Sequence, residues 1–179
     1  MDNQFVVNII HRPELSPEYA EKALGKLSGV RDESLDIFRF QQDCAHQNGL
    51  KTTIHITYAS LFSQEVIDLA KEHHRLYGDE IALSLLGLPC PEFKAKYKTE
   101  DFCIWMFDEE TKRQIVDDVF GKFYEAFGFY PQSTGSYFMD AYTINYIKEK
   151  YPSVKCAVAT CWEEGPKAFH TCNNSWYTY

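Results

Sequence analysis

The chain reads as an α/β protein whose strands form a parallel sheet, a partial (incomplete) (β/α) barrel of about five strands with flanking helices. Two observations predict this. First, an amphipathic stretch leads into a short apolar, β-like run three times in order: residues 41–48 into 51–58, 63–77 into 79–87, and 140–151 into 154–162. Second, the sequence ends at Tyr179 within an aromatic, polar segment with no visible closing element. Residues 1–179 are therefore expected to be a single barrel-like unit, the N-terminal portion of a longer barrel. In such folds chemistry collects where strands end at their C-terminal side. The places to examine are His11 and residues 58–60, 84–88, 133–137 and 161–164.

The elements follow in chain order. Residues 5–10 form an apolar run with two valines and two isoleucines, interrupted only by Asn8, a buried first strand ended by His11-Arg12-Pro13. Ser16 and Pro17 are suited to cap and open a short helix. Residues 34–48 place Leu35, Ile37, Phe38, Cys44 and Ala45 at roughly helical spacing, and Asn48-Gly49 supplies a left-handed stop. Residues 52–58 are rich in β-branched side chains and read as the second strand. Ser63 caps the next helix, with Val66, Ile67, Leu69, Ala70 and His74 on or near one face and Gly78 at its end. Residues 80–86 form the third strand, and 89–99 read as loop because Pro89 and Pro91 interrupt regular structure. Asp108-Glu109-Glu110 begins a helix that runs to about Phe127 and turns Ile115, Val119, Phe120, Phe123 and Phe127 inward. A turn over 128–131, a short strand over 132–137, a helix over 140–150 and a last strand over 155–160 complete the series.

Composition narrows the function classes. The formal charge is −8 and the Lys and Arg residues are scattered among carboxylates, so no basic stripe exists to meet a phosphate backbone and nucleic acid is set aside. No apolar run approaches the roughly 20 residues needed to span a bilayer, so no membrane partner is expected. The start, Met1-Asp2-Asn3-Gln4, lacks the basic region of an export signal, so the chain as given is expected in the cytoplasm. None of the six cysteines has Cys-x-x-Cys spacing, and a domain of this size is expected to hold buried free thiols rather than disulfides. An aromatic fraction of 16% is high; core filling explains much of it, and the excess tilts only slightly toward sugar-stacking surfaces. No Gly-x-Gly-x-x-Gly or Walker loop is present, and no cofactor is read from the sequence.

The central block, residues 34–162, resembles the polysaccharide deacetylase superfamily, the (β/α) barrels of carbohydrate deacetylases and related glycoside hydrolases, in a divergent bacterial branch. Residues 48–56, Asn-Gly-Leu-Lys-Thr-Thr-Ile-His-Ile, look like that family's loop into its second strand. Residues 64–77 followed by Gly78-Asp79-Glu80-Ile81-Ala82 resemble its helix and Gly-His-Glu-Ile-Gly stretch. Residues 109–127, the turn Gly128-Phe129-Tyr130-Pro131, and 137–151 match its next helix, Gly-x-x-Pro turn and following helix in order and spacing. The aromatic segment 172–177 is also similar to that branch. The resemblance implies a carbohydrate-active hydrolase, acting by glycan deacetylation or glycoside hydrolysis, with a carbohydrate as substrate or ligand. The family's metal chemistry does not carry over. No Asp pair follows the first strand, and the family's two zinc-type imidazoles fall on Ser84 and Leu88. The family's Arg is missing at Thr134-Gly135-Ser136-Tyr137. No metal ligand is therefore assigned, and a non-catalytic glycan-binding or scaffold domain stands as the alternative.

The candidate site residues come from different strand ends. Glu163 and Glu164 carry the catalytic expectation, because carboxylates beside the stacking ring of Trp162 suit glycosidic acid/base work. A solvated Glu-Glu-Gly turn is the other reading. His11 joins them as a catalytic candidate just after the first strand, or else is a solvated loop histidine. Ser136, Tyr137, Trp162 and His170 are the substrate-binding candidates, with a polar strand-to-helix turn as the plain alternative for the first two. All are expected to converge at one end of the sheet. Asp140 reads as a helix cap, His55 as a satisfied strand histidine, Asp79 and Glu80 as structural, and His73-His74 as no ligand pair.

Overall fold

The computed structural model describes residues 9–11, 35–85, 88, 90–99, 104–137 and 139–160. Four strands of five residues, β2 (Thr53–Thr57), β3 (Glu80–Ser84), β4 (Ser133–Tyr137) and β5 (Cys156–Thr160), follow a two-residue β1 (Ile10–His11). They form one sheet in the order β1-β2-β3-β4-β5, and every neighbouring pair is parallel. Between them run α1 (Asp36–Gln47), α2 (Gln64–Tyr77), α3 (Pro91–Tyr97), α4 (Glu109–Phe127) and α5 (Ala141–Lys150). The expected α/β alternation is present. Among the described residues no helix is long and apolar enough to cross a membrane.

Local chemistry sets the boundaries. The Ser63 hydroxyl accepts from the Val66 amide at the start of α2, and Gly78 ends that helix at φ 72°. The carboxylate of Asp108 opens α4 by accepting from the Thr111 amide, and Asp140 opens α5 in the same way with Thr143. Asp140 is thus a cap, as its position predicted, and Lys112 pairs with it at 3.0 Å.

Three readings need correction. Residues 91–97 are helical, because Pro91 occupies the first turn of α3, where its missing N–H costs nothing. On α2 it is His73, not His74, that turns inward. Cys44 and Cys156 are free but exposed, and of the described cysteines only Cys90 is a buried thiol.

The two faces of the sheet differ. Ile54, Ile56, Ile81 and Leu83 pack into the main core with Val66, Leu69 and Ala70 of α2 and Ile115, Val119, Phe120 and Phe123 of α4. Alternation sends Thr53, His55, Thr57, Glu80, Ala82 and Ser84 to the opposite face. That face is polar and joined across strands: Glu80 accepts from the hydroxyls of Thr53 and Ser133.

Candidate functional site

The C-terminal end of the sheet is where the sequence placed the chemistry. On the face away from the core, register brings Thr57, Ser84, Gly135 and Val158 into one row across β2 to β5. Thr57 and Ser84 are buried. The Thr57 and Ser60 hydroxyls lie 2.8 Å apart, and the Ser60 amide donates to Thr57 Oγ1, tying the turn over Ala59–Phe62 to the end of β2. Beneath this row sits His55, 4% exposed. A Cβ on Gly135 would lie 3.0 Å from His55 Cε1 and 3.1 Å from the Val158 carbonyl oxygen. Glycine at 135 therefore lets the imidazole lean under β4. The turn over Ile104–Met106, just before α4, presents Trp105 with 52% of its surface exposed.

The sequence-predicted residues fare unevenly. Ser136 is buried in β4, and alternation puts it on the same side as Thr134, whose hydroxyl donates to the Leu83 carbonyl. It faces the helix side, away from the polar row. Tyr137 is the last residue of β4 and pairs with Thr160. His11 lies within β1, not after it, and its partner is Ile54. Ile54 pairs with Ile81, three positions before Ser84, while Tyr137 lies two beyond Ser84's partner Gly135. His11 and Tyr137 are therefore about five residue steps, roughly 16 Å, apart along the strand direction. β1 pairs low on β2, so the backbones of these two stand at different levels along the strand direction. Glu163, Glu164, Trp162 and His170 lie outside the described residues.

Ser84 and Leu88, where the resemblance would require imidazoles, are 1% and 0% exposed. A hydroxyl and an aliphatic group occupy that place, and neither is a good ligand for a zinc-type ion.

A second polar cluster lies at the other end of the sheet, where α1 and α2 finish and β3 begins. Asp79 is fully buried. Its Oδ1 accepts from the Thr52 amide at 2.8 Å, and its Oδ2 meets Gln42 Nε2 at 3.3 Å and His46 Nε2 at 2.8 Å. His73 Nδ1 points at the same oxygen from 3.9 Å, beyond hydrogen-bond reach. The His46 ring stacks on Tyr77 with centroids 3.6 Å apart. Burial, with the nearby His46, depresses the His73 pKa; Asp79 opposes this without reversing it. His74 instead reaches the Asp79 carbonyl through Nδ1 at 2.6 Å. His73 and His74 thus face different atoms of Asp79.

Sequence reasoning gave Asp79 a structural role and did not connect it with His46 and His73. One signal was present: all three fall where a helix ends or a strand begins, which in a βα fold is one end of the sheet.

A cavity of ≈ 200 Å³ lies between β4, β5 and α5, lined by Met139, Ile144, Ile147 and Val154 among others. It is on the helix side and smaller than a usual ligand pocket.

No protein-family model matches the chain, and no curated protein or solved structure matches it.

Proposed function

We propose that the chain is a carbohydrate-active domain, with a glycan as substrate or ligand held at the C-terminal end of the sheet. The observation that carries this reading is the row Thr57–Ser84–Gly135. In a filled barrel, bulky branched residues dominate the interior layers. Here three of the four residues of that row, Thr57, Ser84 and Gly135, are small or hydroxylic, and Val158 is the fourth, on the face away from the helical core at the end where βα folds bind ligands. The exposed Trp105, in the connection between β3 and α4, supports it, since an indole offers a sugar ring an apolar face and a donor.

The finer architecture belongs to the same proposal: the sheet is part of a (β/α) barrel wall. Its strand order never reverses. A doubly wound fold would place a switch point within the order. With right-handed crossovers throughout, all connecting helices lie on one face.

The reaction class would be hydrolysis on a glycan, by deacetylation or by glycoside cleavage with Glu163 or Glu164. A non-catalytic glycan-binding scaffold is the second reading, favoured by the buried Ser84 and Leu88 where a deacetylase holds its metal. One experiment addresses both. Neutral, acidic and N-acetylated oligosaccharides are titrated calorimetrically, and released acetate and reducing ends are followed. Saturable binding, weakened by Trp105→Ala without loss of fold, is expected. Product release that Glu163→Gln or Glu164→Gln abolishes selects the hydrolase, and binding alone selects the scaffold. Absence of binding to every class sinks the proposal.

A further inference from the structure

At the N-terminal end of the sheet, away from the proposed glycan site, we propose that His46, His73 and Asp79 form a binding site for one divalent transition-metal ion of the zinc type. One ring nitrogen of His46, one of His73 and an Asp79 carboxylate oxygen all lie within 4.8 Å of one another. Donors about 2.1 Å from a tetrahedral ion are about 3.4 Å apart. The two separations to Asp79 Oδ2, 2.8 and 3.9 Å, bracket that figure. Small ring movements would bring the three donors onto a common centre and leave a fourth position for water.

An independent observation points to a missing ligand. Four buried side-chain polar atoms among the described residues lack a hydrogen-bond partner, and three belong to this spot: His46 Nδ1, His73 Nδ1 and Thr52 Oγ1. His73 is 7% exposed and aims its orphan nitrogen at a carboxylate it does not reach. Orphaned buried polar atoms are costly, and a bound ion would give the His73 nitrogen its partner. At His46 the ring proton would move from Nε2 to Nδ1, so the imidazole ligates in its neutral form and no proton is lost. Two neutral imidazoles and one carboxylate are a donor set that suits zinc, and the Thr52 amide and Gln42 hold the carboxylate in place. The ion would fasten the ends of α1 and α2 to the start of β3, so its role would be structural.

The test uses the full chain, stripped with chelator, reloaded with Zn2+ and dialysed against metal-free buffer. Elemental analysis should find about one zinc per chain, and the loaded form should melt higher than the stripped one. Cobalt substitution should give the visible absorption of a tetrahedral site. His73→Gln and His46→Gln should each weaken zinc binding at least about tenfold and remove that absorption. Asp79 also anchors the Thr52 amide, so its variant conflates binding with folding. His73→Gln avoids this, because His73 Nδ1 has no hydrogen bond to lose. The stripped His73→Gln chain should keep the far-ultraviolet spectrum of the stripped parent. Cys44→Ser, which removes an exposed thiol two residues from His46, should leave zinc binding unchanged. No retained zinc, zinc held equally by both histidine variants, or zinc lost in Cys44→Ser would each overturn the proposal.

Discussion

Replacing Gly135 by alanine places one methyl group where the structure has no room. The new Cβ would stand 3.0 Å from His55 Cε1, 3.3 Å from His55 Nδ1 and 3.1 Å from the Val158 carbonyl oxygen. Favourable carbon contacts lie at about 3.5–4.0 Å, so relief requires several tenths of an ångström from each neighbour. Neither yields easily. His55 is enclosed, and the Val158 carbonyl belongs to the strand paired with Gly135. Overpacking of this kind costs about 1–3 kcal/mol. The smaller entropy of an unfolded alanine returns about 0.4–1 kcal/mol. The net expectation is a loss of about 1–2 kcal/mol, read by urea unfolding with circular dichroism, or a melting point lower by roughly 2–8 °C. In a His55→Ala background two of the three clashes vanish, so the cost of Gly135→Ala should fall by at least about 0.5 kcal/mol. A Gly135→Ala chain as stable as the parent, or an unchanged cost without His55, would refute this account of why glycine stands in the polar row.

Asp79→Asn should lower stability by about 2–4 kcal/mol in urea, because an amide donor would face the donors of Thr52, Gln42 or His46 in a buried site. Asp117 joins α4 to α5 by accepting from Lys150 Nζ at 2.6 Å, Tyr151 Oη at 2.8 Å and Tyr146 Oη at 2.9 Å. Burial pushes its pKa up, but the hydrogen bonds from Lys150, Tyr151 and Tyr146 outweigh this and hold it below the ordinary 3.8. A depressed carboxylate contributes stability that is present above its unfolded pKa and lost as pH falls through the folded one. Melting temperature should therefore drop on acidification below about pH 4, and Asp117→Asn should flatten that part of the profile.

Strands β2, β3 and β5 were legible because each is a short apolar or β-branched run. The long helices were legible because caps such as Ser63, Asp108 and Asp140 precede periodic apolar positions. Pro91 misled because the same residue that breaks a helix interior is at home in a first turn. The level of His11 was not readable, since sequence gives the end of a strand and not the height at which it pairs. His46, His73 and Asp79 come from three segments that meet only after α1 and α2 have packed, so no local spacing announces them. Burial of the thiols was wrongly expected at Cys44 and Cys156 because cysteine is buried on average, whereas position on α1 and β5 decides the individual case.

The claim that the C-terminal end of the sheet holds a glycan is tested most directly by amide chemical shifts. An isotopically labelled chain would be titrated with the oligosaccharide that binds best in calorimetry. The account predicts saturable shifts at Thr57, Ser60, Ser84, Gly135 and the Trp105 indole, with His46, His73 and Asp79 unmoved. Shifts confined to the His46–Asp79 end, or no shifts at any sugar concentration, would contradict it.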